Sequence, residues 1–352
     1  MIKNIAVIGA GTISKRHLTA YKSIPGIKVV TVCDLNVDLA KSLAAEFGVP
    51  AYCSDYMDVL NDPSIDAVSI ATPTFTHGKL VVEALEHGKH VMCEKPPALT
   101  YQEALANEEA AKQAGKVLMY GFVCRFDTVN GFLKKYIDDG RMGEIYYAEA
   151  SRMEKCAKIN GWFRDKSKSG GGSLMDAAIH QLDLLLYFMG YPKVKSVKGY
   201  TSDVNKDLPE RMKGLKTGYM AAGTAQVERT IESFATGYIA LEGGKNIFIK
   251  AAHIANAPTS GTKFELIGDK GGVSFEGGEL KMLSVDESDY FMVSHPIIKD
   301  GGPDFKAELQ HFVDCCNGEA ECICNAHQGS EIIKILNAIY ESAETGKEIV
   351  FE

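Results

Sequence analysis

The feature that most constrains this chain stands at its start. A short apolar run, Ile5-Ala6-Val7-Ile8, passes without a linker into Gly9-Ala10-Gly11-Thr12-Ile13-Ser14 and a helical pattern that continues to about Ile24. Glycine at the first two positions allows the tight turn and lets backbone N–H groups approach a pyrophosphate at the helix N-terminus. Ser14 takes the place of a third glycine and is small enough for close helix–strand packing. The other reading is a plain glycine turn. Further apolar runs at Val29–Cys33, Ala67–Ala71, His90–Cys93 and Val117–Tyr120 alternate with helical patterns at Val37–Phe47, His77–His87 and Tyr101–Ala114. Pro25-Gly26, Gly48, Gly88 and Gly115 fall where those helices should end. The alternation predicts a doubly wound α/β fold, a parallel sheet with helical crossovers.

With 352 residues, at ~150 per domain, the chain has room for a second domain. The pattern changes after about Phe122. A helix is expected at Thr128–Asp138, a strand at Ile145–Arg152, a Lys/Ser/Gly-rich loop at Lys155–Gly171 and one long helix from about Ser173 to Met189. Alternating segments follow at Val194–Tyr200, Ala225–Ile231, Ser233–Glu242, Asn246–Ala251, Lys263–Ile267 and Leu280–Val285, with hairpin turns expected at Gly243-Gly244 and Gly271-Gly272. Helices at Phe305–Cys316 and Gln328–Thr345 close the chain. The domains are therefore expected as 1–122 and 123–352. The second is α+β with a large, mostly antiparallel sheet, and its final helix is free to pack back on the first. The polar stretch Asp203–Gly218 is expected as a long, mobile loop.

Lys plus Arg number 38 against 46 Asp plus Glu, a formal net charge of -8. The nearest approach to a basic cluster, Arg164, Lys166 and Lys168, is a short polar loop, so nucleic acid is not an expected partner. The start lacks the pattern of a signal peptide, and no stretch of ~18 apolar residues suggests a membrane span. Nine scattered cysteines, without Cys-x-x-Cys, suggest reduced structural thiols and a cytoplasmic protein. The Cys315 to Cys324 group fits no standard zinc spacing, and no metal is expected.

Asp34 follows the second strand, 23 residues after Gly11, where a carboxylate accepts from adenosine ribose hydroxyls. A 2′-phosphate would meet like charge there, and no arginine follows, which favours NAD over NADP. The other reading of Asp34 is a helix N-cap. Glu94-Lys95-Pro96-Pro97 ends the strand at His90, and ligands gather at the carboxyl ends of such strands. Lys95 is thus either a hydrogen-bond donor to substrate or a surface lysine before a proline turn. Past Gly170-Gly171-Gly172, Asp176 and His180 lie four apart on the expected helix, hence on one face. Such a pair suits proton transfer, with the carboxylate orienting the imidazole, or serves only to stabilise the helix. Asp183 lies three further on, to support His180 or cap a polar face.

Several motifs run in one order along nearly the whole chain: Gly9-x-Gly11 with His17, Ala71-Thr72-Pro73-Thr74 with His77, Glu94-Lys95-Pro96, Arg125-Phe126-Asp127, and Gly170-Gly171-Gly172 leading to Asp176 and His180. Together they resemble the Gfo/Idh/MocA oxidoreductase family. Pro97 stands where that family more often has an aliphatic residue, and Ser14 replaces a Gly or Ala. The resemblance implies a Rossmann domain and NAD(P)-dependent oxidation of a secondary hydroxyl of a sugar, sugar derivative or inositol. By the same resemblance His180 takes the hydroxyl proton, Lys95 hydrogen-bonds that oxygen, and Asp176 orients substrate or His180. Gly9, Gly11, Thr12, Ile13, Asp34, Thr72, Pro73, Thr74, Glu94 and Lys95 are the expected cofactor contacts. Arg125, Arg152, Trp162 and Arg164 are candidates for substrate or cofactor, Trp162 either by stacking on a ring or by packing. His77 is expected as a buried structural histidine. A homo-dimer or homo-tetramer through the open sheet face is implied by analogy. Two alternatives share these residues: a closed redox cycle that retains NAD while a glycoside is cleaved, and a non-catalytic dinucleotide or sugar sensor, against which intact Lys95, Asp176 and His180 speak.

Overall fold

Six parallel strands, β1 (Asn4–Ile8), β2 (Lys28–Cys33), β3 (Ala51–Cys53), β4 (Ala67–Ile70), β5 (His90–Glu94) and β6 (Leu118–Gly121), form one sheet in the order β3-β2-β1-β4-β5-β6. This computed structural model describes residues 1–155, 157, 159–204, 227–285, 291–298 and 301–352. It divides into two units, residues 1–126 with 303–333, and residues 127–302 with 334–352. In the first unit β4 and β6 are buried along their whole length, as strands covered on both faces must be, and their sequences are accordingly near-continuous apolar runs, broken in β4 by Ser69. Crossover helices α1 (Thr12–Lys22), α2 (Val37–Phe47), α3 (Tyr56–Leu60), α4 (His77–Glu86) and α5 (Tyr101–Ala114) connect the strands. The strand order reverses between β1 and β4, so the loops after these strands splay apart and open a crevice at their carboxyl ends. Short, half-exposed β3 carries too little apolar pattern to be read from sequence.

Residues 303–333 join this unit as well. Tyr120 donates its backbone N–H to Cys324 (2.9 Å), and the Ile2 N–H reaches the Asn317 side chain (2.9 Å). Arg125 is 3% exposed and donates to the Ile323 carbonyl and to Gln328 Oε1, while its guanidinium lies 5.6 Å from the Phe122 ring centroid.

The second unit holds a nine-stranded sheet. Its strands are β7 (Ile145–Met153), β8 (Val194–Ser202), β9 (Phe234–Leu241), β10 (Asn246–Ala252), β11 (Gly261–Gly268), β12 (Gly271–Glu276), β13 (Glu279–Val285), β14 (Phe291–Ser294) and β15 (Ile349–Val350). The order is β14-β13-β12-β11-β7-β10-β9-β8-β15, and β7 with β10 is the parallel pair among antiparallel neighbours. Alternation is plain in β9 and β10: Ala235, Ile239, Ile247 and Ile249 point into the core, while Tyr238 and Phe248 meet on the opposite face with ring centroids 5.0 Å apart. Helix α6 (Thr128–Asp138) precedes β7, and the short α7 (Lys166–Ser169) precedes the glycine run.

Three local expectations need correction. The helix expected from Ser173 begins as a π-helical turn, Leu174–Ala178, before α8 (Ile179–Met189). Gly271 and Gly272 are not a turn: they pair with Ser284 and Leu283 in β12, and Asp269-Lys270 makes the hairpin, with Asp269 Oδ1 accepting from the Glu144 N–H (2.8 Å). No strand forms over residues 227–231, where Thr230 N–H donates to Arg164 O (2.9 Å) and Arg229 binds the Ile231 and Glu232 carbonyls. Positions 225–226, and 205–218 of the expected mobile loop, lie outside the described residues.

Replacing Arg125 by Ala takes the guanidinium from the Ile323 carbonyl and from Gln328 Oε1, which retains the Asn325 N–H (3.3 Å), in a partly buried setting. We expect a loss of about 1–3 kcal/mol, read as a lower urea midpoint. An unchanged midpoint would mean that these bonds do not fasten residues 303–333 to the sheet.

Candidate active site

In the first unit, the expected cofactor residues gather at the carboxyl ends of the strands. Gly9 has φ 105°, and a Cβ there would stand 2.5 Å from the Ala71 carbonyl oxygen, so only glycine lets β1 end this close to β4. Gly11 has open space where a side chain would be. It is also the N-cap of α1, so it offers the first turn no side-chain acceptor, and that turn holds no acidic residue. Helices α2, α5 and α6 are instead capped by Asn36, Thr100 and Asp127. The N–H groups of Thr12 and Ile13 thus stand at a positive helix end without a built-in anion, the requirement for holding a pyrophosphate.

Asp34 extends this end. Its Oδ2 accepts from the Ala10 N–H (2.8 Å) and its Oδ1 from the Asn36 N–H (2.8 Å), which locks the carboxylate beside the glycine turn. The N-cap role falls to Asn36, not Asp34. After β4, Thr72 and Thr76 share a hydroxyl–hydroxyl bond of 2.6 Å, and Pro73 O accepts from the Thr76 hydroxyl and N–H. Thr74 is buried. His77 stands between two turns, Nδ1 2.7 Å from Pro96 O and Nε2 2.9 Å from Thr72 O. Burial, the largest influence on its pKa, pulls it below the ordinary value, so the ring is held neutral and its single N–H donates to one of the two carbonyls, one from the threonine loop and one from the Lys95 turn. Its structural reading agrees with this placement.

Glu94 has a different setting from a cofactor contact. Its Oε1 lies 2.8 Å from His17 Nε2, and His17 Nδ1 lies 2.7 Å from Ser69 Oγ, all in the interior. The Lys95 N–H donates to Glu94 Oε2 (3.3 Å). Glu94 and His17 therefore support the turn that carries Lys95 from behind. Arg125, a candidate for substrate or cofactor, is buried and donates to Ile323 and Gln328, so it fastens segments of its own unit.

In the second unit, a run that is otherwise buried from Gly171 to Leu186 opens to solvent at Asp176, Ala177 and His180. The two site candidates share that narrow stripe. Asp183 does not: it is fully buried and accepts from the Tyr191 hydroxyl (3.1 Å). The π turn carrying Asp176 is a distortion that recurs at functional sites.

Its anchor is a residue the sequence did not single out. Glu232 accepts from the N–H groups of Gly172 (2.7 Å) and Leu174 (3.1 Å) and from the Tyr340 hydroxyl (3.0 Å). Burial first, and the carboxylate beside it second, hold the Tyr340 pKa well above its ordinary value, so the phenol keeps its proton and donates. The glycine run follows from this contact. A Cβ on Gly171 would lie 2.0 Å from Tyr340 Oη, and one on Gly172 would lie 2.2 Å from Glu232 O.

His253 was missed too. It follows β10, and its Nε2 lies 3.3 Å from Asp176 Oδ2. Nothing in its local sequence marks it. Arg152 is tied to Thr262 Oγ1 (3.0 Å) and Glu154 (2.7 Å), and Trp162 stacks on Phe163 with centroids 3.8 Å apart. Arg164 lends its carbonyl to Thr230.

Comparison with known proteins places this geometry. A family profile described as "Oxidoreductase family, NAD-binding Rossmann fold" matches residues 3–122, and its partner, "Oxidoreductase family, C-terminal alpha/beta domain", matches residues 134–351. The chain is 32% identical to the D-glucoside 3-dehydrogenase of Escherichia coli (strain K12), over 98% of this chain and 96% of that one. It is 32% identical to a scyllo-inositol 2-dehydrogenase (NAD(+)) of Bacillus subtilis (strain 168), over 75% of this chain and 79% of that protein. Among solved structures, a levoglucosan dehydrogenase in complex with NADH and levoglucosan superposes with a TM-score of 0.82 at 25% identity, covering 99% of each chain.

Replacing Glu232 by Gln puts an amide NH₂ against backbone donors. We expect a destabilisation of about 1–3 kcal/mol in urea unfolding, with Tyr340→Phe costing less because it removes one donor and strands none. Equal stability of Glu232→Gln and wild type would disprove the anchor.

Proposed function

This chain belongs to the Gfo/Idh/MocA family of NAD-binding oxidoreductases, and we propose that it is a dehydrogenase oxidising a secondary hydroxyl of a sugar, sugar derivative or inositol. The observation that carries the reading is the partly exposed pair Asp176 and His180 on an otherwise buried segment, in a chain similar along almost its whole length to a glucoside 3-dehydrogenase. NAD supplies the hydride acceptor when bound. Gly9, Gly11, Thr12 and Ile13 hold its pyrophosphate, Asp34 the ribose hydroxyls, and Thr72, Pro73 and Thr74 line the same crevice. His180 takes the proton from the substrate hydroxyl oxygen as general base, and Asp176 orients the substrate or the imidazole. Lys95 donates a hydrogen bond to the substrate oxygen, with Glu94 and His77 fixing its turn.

Residues 1–122 act as the cofactor domain in this reading and residues 123–352 as the substrate domain. Self-association through the sheet face bearing Tyr238 and Phe248 belongs to it. So does a reducing, cytoplasmic location, which the eight free thiols among the described residues favour. No helix among the described residues is long and apolar enough to cross a membrane.

Absorbance of NADH, followed on mixing the protein and NAD with a panel of inositols, aldoses and glycosides, tests the activity. A rise with one class names the substrate. A flat trace with cleaved glycoside would replace net dehydrogenation by a redox cycle that retains NAD. With the substrate in hand, His180→Ala is expected to lower kcat by about 10² while NAD affinity holds; lost NAD affinity would make His180 a cofactor or folding residue instead. Asp34→Ser should weaken NAD and narrow its advantage over NADP, and unchanged NAD affinity would remove Asp34 from the ribose site.

A further inference from the structure

Asp176 and His253 form a pair of unequal exposure. The Asp176 side chain is 30% exposed, that of His253 only 4%, and 3.3 Å separates Oδ2 from Nε2. The histidine is behind the carboxylate, where a ligand that touches Asp176 meets the carboxylate first. Its backbone is held from two sides: His253 N–H donates to Ser233 O (3.0 Å), and His253 O accepts from Ala157 N–H (2.7 Å). Ser233 adjoins Glu232, whose carboxylate holds the start of the π turn bearing Asp176. The same short segment therefore places both members of the pair.

The chemistry of the contact is directional. A carboxylate oxygen accepts and does not donate, so the contact uses a proton on Nε2. Nδ1 and Nε2 are both buried and neither has a partner at hydrogen-bonding geometry, while the Asp176 carboxylate stands within ion-pair distance of Nε2. At 3.3 Å the pair is at ion-pair distance, just beyond the roughly 2.7–3.2 Å of a well-formed N–H···O bond, and catalytic contacts of this kind tighten to hydrogen bonds when substrate binds.

We propose that His253 is a positioning residue of the dehydrogenase site: through Nε2–H it holds one oxygen of Asp176 and so sets the direction in which that carboxylate faces on the stripe shared with His180. The inference rests on the reading of Asp176 as a residue of the reacting centre. His253 acts through Asp176 and touches neither substrate nor cofactor.

Three variants test it, assayed with NAD and the sugar or cyclitol that reacts fastest in the panel. His253→Leu removes the donor and is expected to lower kcat by about 10–100-fold, the scale of a misplaced reacting group, with KM for NAD changed by less than about threefold. His253→Gln brings an amide NH₂ close to the place of Nε2 and should recover activity to within about fivefold of wild type. In an Asp176→Ala background His253→Leu should cost little more, because partners that act through one contact are not additive. Wild-type turnover in His253→Leu, or a His253→Gln variant as impaired as His253→Leu, overturns the proposal. Wild-type turnover in Asp176→Ala is a separate result that overturns the reading of the site itself, and the role of His253 with it. A second measurement stands apart from activity and from the folding of the leucine variant: the nitrogen NMR signals of His253 in the full chain. We expect a protonated Nε2 in wild type and a displaced Nε2 signal in Asp176→Ala; a proton on Nδ1 alone, or an unmoved signal, overturns the contact.

Discussion

A carboxylate taken out of water must be met by donors, and Glu232 meets that demand with backbone N–H groups at the start of the segment that carries Asp176 and His180. The Tyr340 hydroxyl completes the set. Much in the second unit follows from this contact. Gly171 and Gly172 are glycines because Tyr340 and Glu232 occupy the space of their side chains. Residues 227–231 are irregular instead of a strand as they lead the chain to Glu232, and the π turn begins where the carboxylate holds it. The first unit uses the same device on a smaller scale. Glu94, met by His17 and the Lys95 N–H, stiffens the turn that presents Lys95.

Two glycine motifs that look alike on paper do opposite things. At Gly9-Ala10-Gly11 the absence of side chains leaves a helix end open, its first N–H groups uncapped and space in front of Gly11. At Gly170-Gly171-Gly172 the missing side chains admit other parts of the protein, and the N–H groups of Gly172 and Leu174 are already bound to Glu232. A helix start closed by its own carboxylate has nothing left for an anion. The first motif leaves room for a ligand and the second is a joint.

Histidines are deployed by the same logic of donors and burial. His17 and His77 sit inside the first unit and tie turns together, which suits rings shielded from solvent. His180 is the exception in its neighbourhood, half-exposed on a helix whose other faces are packed. The proton acceptor that we propose has to be reachable, and partial exposure is what separates His180 from these two structural rings.

The sequence by itself determined the parallel half, the glycine turn between β1 and α1, and the place of Asp176 and His180 on one partly exposed stripe. Each of these is written in local pattern: near-continuous apolar runs for strands buried on both faces, glycines where the chain turns, and a four-residue spacing. It also located the large antiparallel sheet, though not the short edge strands β3, β14 and β15, whose few residues carry little periodicity, nor β12, whose opening Gly271-Gly272 reads as a turn. Only the tertiary structure decided what holds the site. Glu232, Tyr340 and His253 are single polar residues in ordinary surroundings, 60 residues separating Gly172 from Glu232 and 108 separating Glu232 from Tyr340. Arg125 and Glu94 looked like ligand contacts until burial gave them internal partners. A donor's partner is chosen when the sheet and the helices bring distant segments within about 3 Å, and no local pattern encodes that choice.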